Sequence, residues 1–141
     1  MSTRWLDRYV DAWVQHGRAG GGDAGAMDAL LGLMSADIRY EGVPTGALFH
    51  GHDRVRAMAA QAYRLSADLT FHPKGLAVGD GCFAFENGTR GTQTGAIGTA
   101  GPTGASFVIR GVSVGAFRGD RVTEHRDYWD LSSYLAQLGT A

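Results

Sequence analysis

The sequence predicts an α+β fold, with helices packed on the concave face of a curved, antiparallel or mixed sheet and a pocket enclosed between them. Three observations carry this. Apolar residues recur at helical spacing in three segments of the first half. From Ala67 onward the period switches to two, over four runs separated by glycine-rich breaks. Helical segments therefore come mostly before strand segments instead of alternating with them, which points away from a doubly wound sheet.

The first helix is expected over Thr3 to His16. Trp5, Leu6, Tyr9, Val10, Trp13 and Val14 form its apolar stripe, and Ser2 is the candidate N-cap. Gly17 to Gly22 breaks it as a loop. No strand precedes this loop and no Gly-Lys-Ser/Thr follows, so it is not read as a phosphate cradle. A second helix runs from Asp23 or Gly25 to Met34, with Met27, Leu30, Leu31 and Met34 inward. Ile38 to Val43 reads as a short strand turned by Pro44-Thr45-Gly46. Leu48 to His52 then leads into a third helix, Asp53 to Leu65, capped by Asp53 and facing inward with Val55, Met58, Ala59, Ala62 and Leu65.

Four strands follow: Leu69 to Val78, Phe83 to Thr94, Ala105 to Phe117 and Val122 to Trp129. Their breaks are Gly79-Asp80-Gly81, a Gly/Thr-rich stretch with Gly101-Pro102-Thr103-Gly104, and Gly119-Asp120. Ser132 to Leu138 closes the chain as a short helix. On the last strand, alternation puts Thr123, His125, Asp127 and Trp129 on one face. If that face looks into an apolar cavity, Asp127 is an acid/base candidate.

Composition sets the outer limits. The 141 residues match one ordinary domain, expected over 1–141. Hydrophobic residues at 44% and charged residues at 19% exclude a disordered chain. A net charge of -1, with Lys and Arg scattered, gives no support for a nucleic-acid or anionic-membrane partner. No apolar run has the length of a membrane span, and the N-terminus acquires charge at once, so a cytoplasmic location is expected. The lone Cys82 excludes an internal disulfide, and its apolar neighbours suggest a buried small residue.

Several stretches resemble a known family. They are Ser35-Ala36-Asp37-Ile38-Arg39-Tyr40, Phe49-His50-Gly51-His52-Asp53-Arg54-Val55, Gly91-Thr92-Gln93-Thr94-Gly95 with Gly101-Pro102-Thr103-Gly104, and His125-Arg126-Asp127-Tyr128-Trp129-Asp130-Leu131. Together they resemble the SnoaL-like polyketide cyclases and their limonene-epoxide-hydrolase relatives, in the nuclear transport factor two-like superfamily. The resemblance implies a cone-shaped sheet, a homodimer through the outer sheet face, and cofactor-free acid/base chemistry on a small, hydrophobic, oxygenated, polyketide-like molecule. It places an acid/base carboxylate at Asp127 and a catalytic tyrosine at Tyr40. The epoxide hydrolases' asparagine is Gly42 here. By ungapped count their arginine and second aspartate fall on Glu86 and Gly88. That incomplete set ranks epoxide hydrolysis behind cyclisation or isomerisation. The histidine usual in the SnoaL-like hairpin is Gln93.

Each candidate has a plainer reading beside the functional one. Desolvation would keep Asp127 protonated as a general acid, or let it take a proton from an acidified carbon. The alternative is a structural carboxylate paired to Arg126 or Arg110. His125 could hydrogen-bond Asp127 or a substrate oxygen, or be a satisfied core histidine. Tyr40 could donate to a carbonyl or enolate oxygen, or pack in the core. Glu86 is a second buried carboxyl if it points inward and a solvated side chain if outward. Trp13, Phe107, Ile109 and Trp129 are expected walls of the pocket. His50, His52 and His72 fit no zinc spacing, and no metal or other cofactor is expected. A non-catalytic module that binds or senses a hydrophobic ligand remains the alternative outside enzymology.

Overall fold

The computed structural model describes residues 2–20, 22–97 and 101–139. Its elements follow the predicted periodicities, with several boundaries moved. Helix α1 spans Trp5–Arg18 and buries Trp5, Leu6, Tyr9, His16 and Gly17. It starts later than expected. Ser2 does not cap it; its Oγ accepts from Arg4 N at 3.2 Å, before the helix begins. It also runs past His16, because His16 and Gly17 pack inward: a Cβ on Gly17 would lie 3.1 Å from the Tyr63 hydroxyl.

Helix α2, Ala24–Leu31, is capped by Asp23, whose side chain accepts from the Gly25 and Ala26 amides. It stops short of Met34, which instead opens strand β1, Met34–Gly42. Met34 is buried at the inner end of that strand, so its apolar spacing fitted the helix only by coincidence. After a 3-10 turn over Val43–Thr45 comes strand β2, Ala47–His50, where the sequence suggested only a connection. Gly46 makes the hairpin possible with φ of 70°. Helix α3, His52–Leu65, is entered through Gly51 at φ 90°; Asp53 sits in its first turn instead of at the cap.

Strands β3 (Thr70–Val78), β4 (Cys82–Thr92), β5 (Ser106–Arg118) and β6 (Arg121–Trp129) precede helix α4 (Leu131–Leu138), capped by Asp130. The sheet order is β2-β1-β6-β5-β4-β3. The expected antiparallel meander covers β3 to β6, and the sheet as a whole is mixed. β1 lies beside β6 in parallel, with Tyr40 opposite His125 and Gly42 opposite Asp127. Hairpin links alone could not produce that pairing, because the chain must cross over between the two strands.

Residues from α1, α2, α3, β1, β4 and β6 share one apolar core, including Leu6, Tyr9, Leu30, Ile38, Val55, Phe83, Phe85 and Val122. Helix α4 covers the β5–β6 end, where Tyr134 meets Phe107 and Trp129 edge-on at 5.0 Å and 6.0 Å. The opposite sheet face exposes Val108, Val112 and Tyr128. No helix among the described residues is long and apolar enough to cross a membrane.

Two face assignments need correction. A one-residue bulge between β5 and β6 matches Phe117 to Val122 and Ala116 to Glu124, leaving Thr123 over. Val122, not Thr123, therefore joins His125 in the core. Cys82 is exposed, because Phe83 and Phe85 take the inward positions of β4 and alternation turns Cys82 outward.

Candidate active site

Three strands converge on Asp127. Its Oδ1 accepts from Ser113 Oγ at 2.6 Å and faces His125 Nε2 at 2.8 Å. Its Oδ2 accepts from the Tyr40 hydroxyl. Each partner is placed by strand register. Tyr40 comes from β1 through the parallel pairing, Ser113 lies directly opposite Asp127 on β5, and His125 is two residues back on the same face of β6. The network extends at both ends. Asn87 Nδ2 donates to Ser113 Oγ at 2.7 Å, and the Tyr9 hydroxyl lies 2.6 Å from His125 Nδ1.

Rings enclose this polar line. Tyr40 and His125 stack at 4.5 Å, and Trp13 stands 5.8 Å from each. Phe83 and Phe85 meet the imidazole edge-on, each at 6.2 Å. The aromatic stripe of α1 thus fills the space over His125, where the sequence suggested a pocket. Asp127 reaches solvent: its side chain is 24% exposed, against 2% for His125. Two surface clefts lie elsewhere. One of about 230 Å³ runs between α1 and β3, and one of about 200 Å³ lies on the outer face among Arg39, Glu41, Leu48, Glu124 and Arg126.

The electrostatics follow from this packing. Burial alone would raise the Asp127 pKa. The charge of a protonated His125 and the hydrogen bonds from His125, Ser113 and Tyr40 outweigh burial, so the carboxyl is held below its ordinary range. That removes the general-acid role at neutral pH and leaves a carboxylate, which can accept a proton. Burial, then the Asp127 charge, pushes the Tyr40 phenol well up, so it keeps its proton and donates. Burial likewise pushes the Tyr9 phenol up. Three of the carboxylate's lone-pair positions are occupied, and one on Oδ2 stays open.

The sequence candidates divide clearly. Asp127, His125 and Tyr40 come together, with Trp13 against them. Asp127 is paired to neither arginine considered for it; Arg126 pairs with Glu124 at 3.3 Å. Glu86 does not join the site. It lies between inward Phe85 and Asn87, so its side chain turns to the other face, 61% exposed and 3.9 Å from Lys74. Gly88 shares that outer alternation, and the inward residue of this stretch is Asn87. Phe107 is buried under α4, and Ile109 lies two residues nearer Ser113 on the same face of β5. Trp129 follows Asp127 on its face and packs on Tyr134. His52 Nε2 lies 3.1 Å from the Met34 carbonyl, and His72 Nε2 lies 2.9 Å from Thr70 Oγ1, in separate parts of the fold.

Gln93 proves to be structural. It is fully buried, donates to the Gly95 and Gly101 carbonyls, and accepts from Thr103 N at 3.1 Å and Thr103 Oγ1 at 2.5 Å. It ties the two halves of the hairpin motif together. Sequence reasoning missed Ser113, Asn87 and Tyr9. Asn87 was legible, since the period that sends Phe83 and Phe85 inward sends it inward too. Ser113 needed the strand register, and Tyr9 looked like one more core aromatic.

Comparison with known proteins bears on the family and the fold. The family model described as SnoaL-like domain matches residues 6–125. A proposed SnoaL-like polyketide cyclase from Jannaschia sp. CCS1 superposes with TM-score 0.83 at 16% identity, over 99% of this chain and 94% of that one. A hypothetical protein with a ketosteroid isomerase-like fold from Catenulispora acidiphila DSM 44928, in complex with trimethylamine, gives 0.76 at 23%, over 94% and 93%. IdmH, a proposed polyketide cyclase from Streptomyces antibioticus, gives 0.75 at 18%, over 94% and 97%. No curated protein matches the sequence significantly. The structural likenesses establish the shared α+β cone.

Proposed function

The chain belongs to the SnoaL-like domain family, and from that premise we propose that it is a small-molecule cyclase or isomerase acting by acid/base chemistry on a hydrophobic, oxygenated, polyketide-like substrate. The observation that carries this is the Asp127 carboxylate, partly open to solvent and held by buried Ser113, Tyr40 and His125. Asp127 takes a proton from a carbon beside a carbonyl, and the C–H electron pair moves onto the carbonyl oxygen as an enolate. The enolate C=O re-forms as its carbon bonds to a second carbonyl carbon, whose π pair moves onto its own oxygen. That oxygen takes the proton from Asp127, so the ring closes and the carboxylate is restored. Alternatively, Asp127 returns the proton at another carbon, giving an isomer. Tyr40 holds the attacking carboxylate and is the nearest donor for the enolate oxygen. Every step uses groups of this chain alone. Trp13, Ile109 and Trp129 line the approach in this reading, and Phe107 supports it from beneath α4. A second copy of the chain is the partner assigned to the outer face, where Val108, Val112 and Tyr128 are exposed.

The test is deuterium exchange at the α-carbon of 1,3-dicarbonyl compounds, followed by NMR in heavy water. The wild type is expected to accelerate exchange, and Asp127→Asn to lose at least ~100-fold of that acceleration. A folded Asp127→Asn protein with the wild-type rate sinks the reading. Sedimentation velocity checks the dimer, with Val112→Glu expected to yield monomers.

A further inference from the structure

The Ser113 hydroxyl has one proton and two neighbours. Asp127 Oδ1 stands 2.6 Å from its Oγ, and a carboxylate oxygen only accepts, so the Ser113 proton goes there. Ser113 Oγ can then only accept from the group on its other side. That group is the Asn87 carboxamide, 2.7 Å away, so the atom facing Ser113 is Nδ2 and not Oδ1. The direction of both bonds thus follows from valence at one fully buried hydroxyl. The fold has room for this amide orientation. Asn87 and Gly111 are cross-strand partners, and a Cβ on Gly111 would stand 3.3 Å from Asn87 Oδ1. The missing side chain leaves the carbonyl end of the amide a place beside β5. His125 Nε2 also faces Asp127 Oδ1, at 2.8 Å, and Tyr40 takes one position on Oδ2. Oδ1 is therefore full, and the position left open is on Oδ2.

We propose that Asn87 is a positioning residue that acts on Asp127 through Ser113: its Nδ2 holds the Ser113 hydroxyl on Oδ1, so that an incoming proton is received on Oδ2. Hydrogen bonds in series strengthen one another, because an oxygen that accepts becomes a better donor. Without Asn87, Ser113 still donates to Asp127, but more weakly and from a less restrained rotamer. The titratable groups facing the carboxylate are Tyr40 from β1, His125 on its own strand and, behind the imidazole, Tyr9 from α1. Strands β4 and β5 present the uncharged Asn87 and Ser113. Asn87 therefore tunes the carboxylate without adding a charge to the site. The use of Oδ2 as proton acceptor rests on the acid/base reading above; the donor chain from Asn87 to Asp127 does not.

Two NMR measurements test this. In protein labelled with 15N at asparagine, the Asn87 Nδ2 protons are expected to show stronger Overhauser contacts to the Ser113 β-protons than to the Gly111 α-protons. Carboxyl carbon titration of Asp127 in the wild type, Ser113→Ala, Asn87→Leu and the double variant measures the coupling. Ser113→Ala is expected to move the Asp127 titration to higher pH, and Asn87→Leu to move it the same way by less. The double variant should match Ser113→Ala, since among the described residues Asn87 reaches the carboxylate through Ser113. If Asn87→Leu does not fold, Asn87→Ala takes its place in the cycle. An amide whose Nδ2 turns to Gly111 overturns the proposal. So does a folded Asn87 variant with the wild-type titration, or a pair of shifts that simply add in the double variant. The dicarbonyl exchange assay separates the two ideas: the acid limb of its pH profile should move with the Asp127 titration in Asn87→Leu. An Asp127→Asn protein that exchanges at the wild-type rate would sink the base reading and leave the NMR result standing.

Discussion

The Tyr40 and His125 rings lie 4.5 Å apart and within 10° of parallel, side by side on two strands that run in the same direction. The stack sets both polar tips on one carboxylate: the Tyr40 hydroxyl on Asp127 Oδ2 and the His125 Nε2 on Oδ1. Removing the tip while keeping the ring separates the two contributions. Tyr40→Phe is expected to fold and to lose about 1–3 kcal/mol, the cost of leaving a charged acceptor short of a donor. Its Asp127 carboxyl should titrate at higher pH than in the wild type. Urea denaturation and carboxyl carbon NMR measure the two effects. An unchanged Asp127 titration would mean that Tyr40 does not hold the carboxylate in solution.

His16 makes stability depend on pH about one helical turn beyond Trp13. It is buried against Tyr63, their rings edge-on at 5.2 Å, and burial lowers its pKa, with Asp23 opposing more weakly. The folded protein therefore resists protonation that the unfolded chain accepts below its ordinary value of about 6.5. Proton uptake favours unfolding in that window, so stability falls as the pH drops from about 7 toward 5. His16→Gln should flatten that part of the curve. Equal slopes for the two proteins across this range would contradict it.

Gly115 is required by a close approach rather than by its dihedral angles. A Cβ there would lie 2.2 Å from the Glu124 carbonyl oxygen and 2.6 Å from the Phe83 ring. Phe83 in turn packs on His125, so the glycine lets the core reach the site. Gly115→Ala is expected to cost about 1–3 kcal/mol by denaturation, from overpacking and a displaced strand. A change within a few tenths of a kcal/mol would mean that β5 and β6 separate freely there.

Gln93 should matter to the hairpin and not to the chemistry. Gln93→Ala strips partners from Thr103 and from the Gly95 and Gly101 carbonyls. The expected loss is about 1–3 kcal/mol, with faster amide exchange at Thr103 and little change in turnover. Slow Thr103 exchange in the variant would assign the hairpin's order to other contacts.

Much of this site was readable in the residues. Period two put His125, Asp127 and Trp129 on one face, and the same rule places Asn87 with Phe83 and Phe85. It gave no way to choose the side of Glu86 while the inward residues of β4 were unassigned, so Glu86 was a candidate that its exposed position removes. The bulge at Thr123 breaks the alternation without leaving a mark in the sequence.

The helix caps at Asp23 and Asp130 and strand β2 emerged only in the structure. The sequence alone determined the four helical segments, the other five strands, and a carboxylate beside a histidine on the last strand. These depend on local spacing, which the chain carries in every conformation. Only the tertiary structure decided that β1 lies beside β6, that Ser113 faces Asp127, and that Tyr9 reaches His125 across 116 residues. Such contacts depend on strand order and register. Those are settled by the joint packing of all the elements, and a periodic pattern fixes the face of a strand without naming its neighbour. The charge of Asp127 depends on that second kind of fact: burial alone would raise its pKa, and its assembled partners lower it.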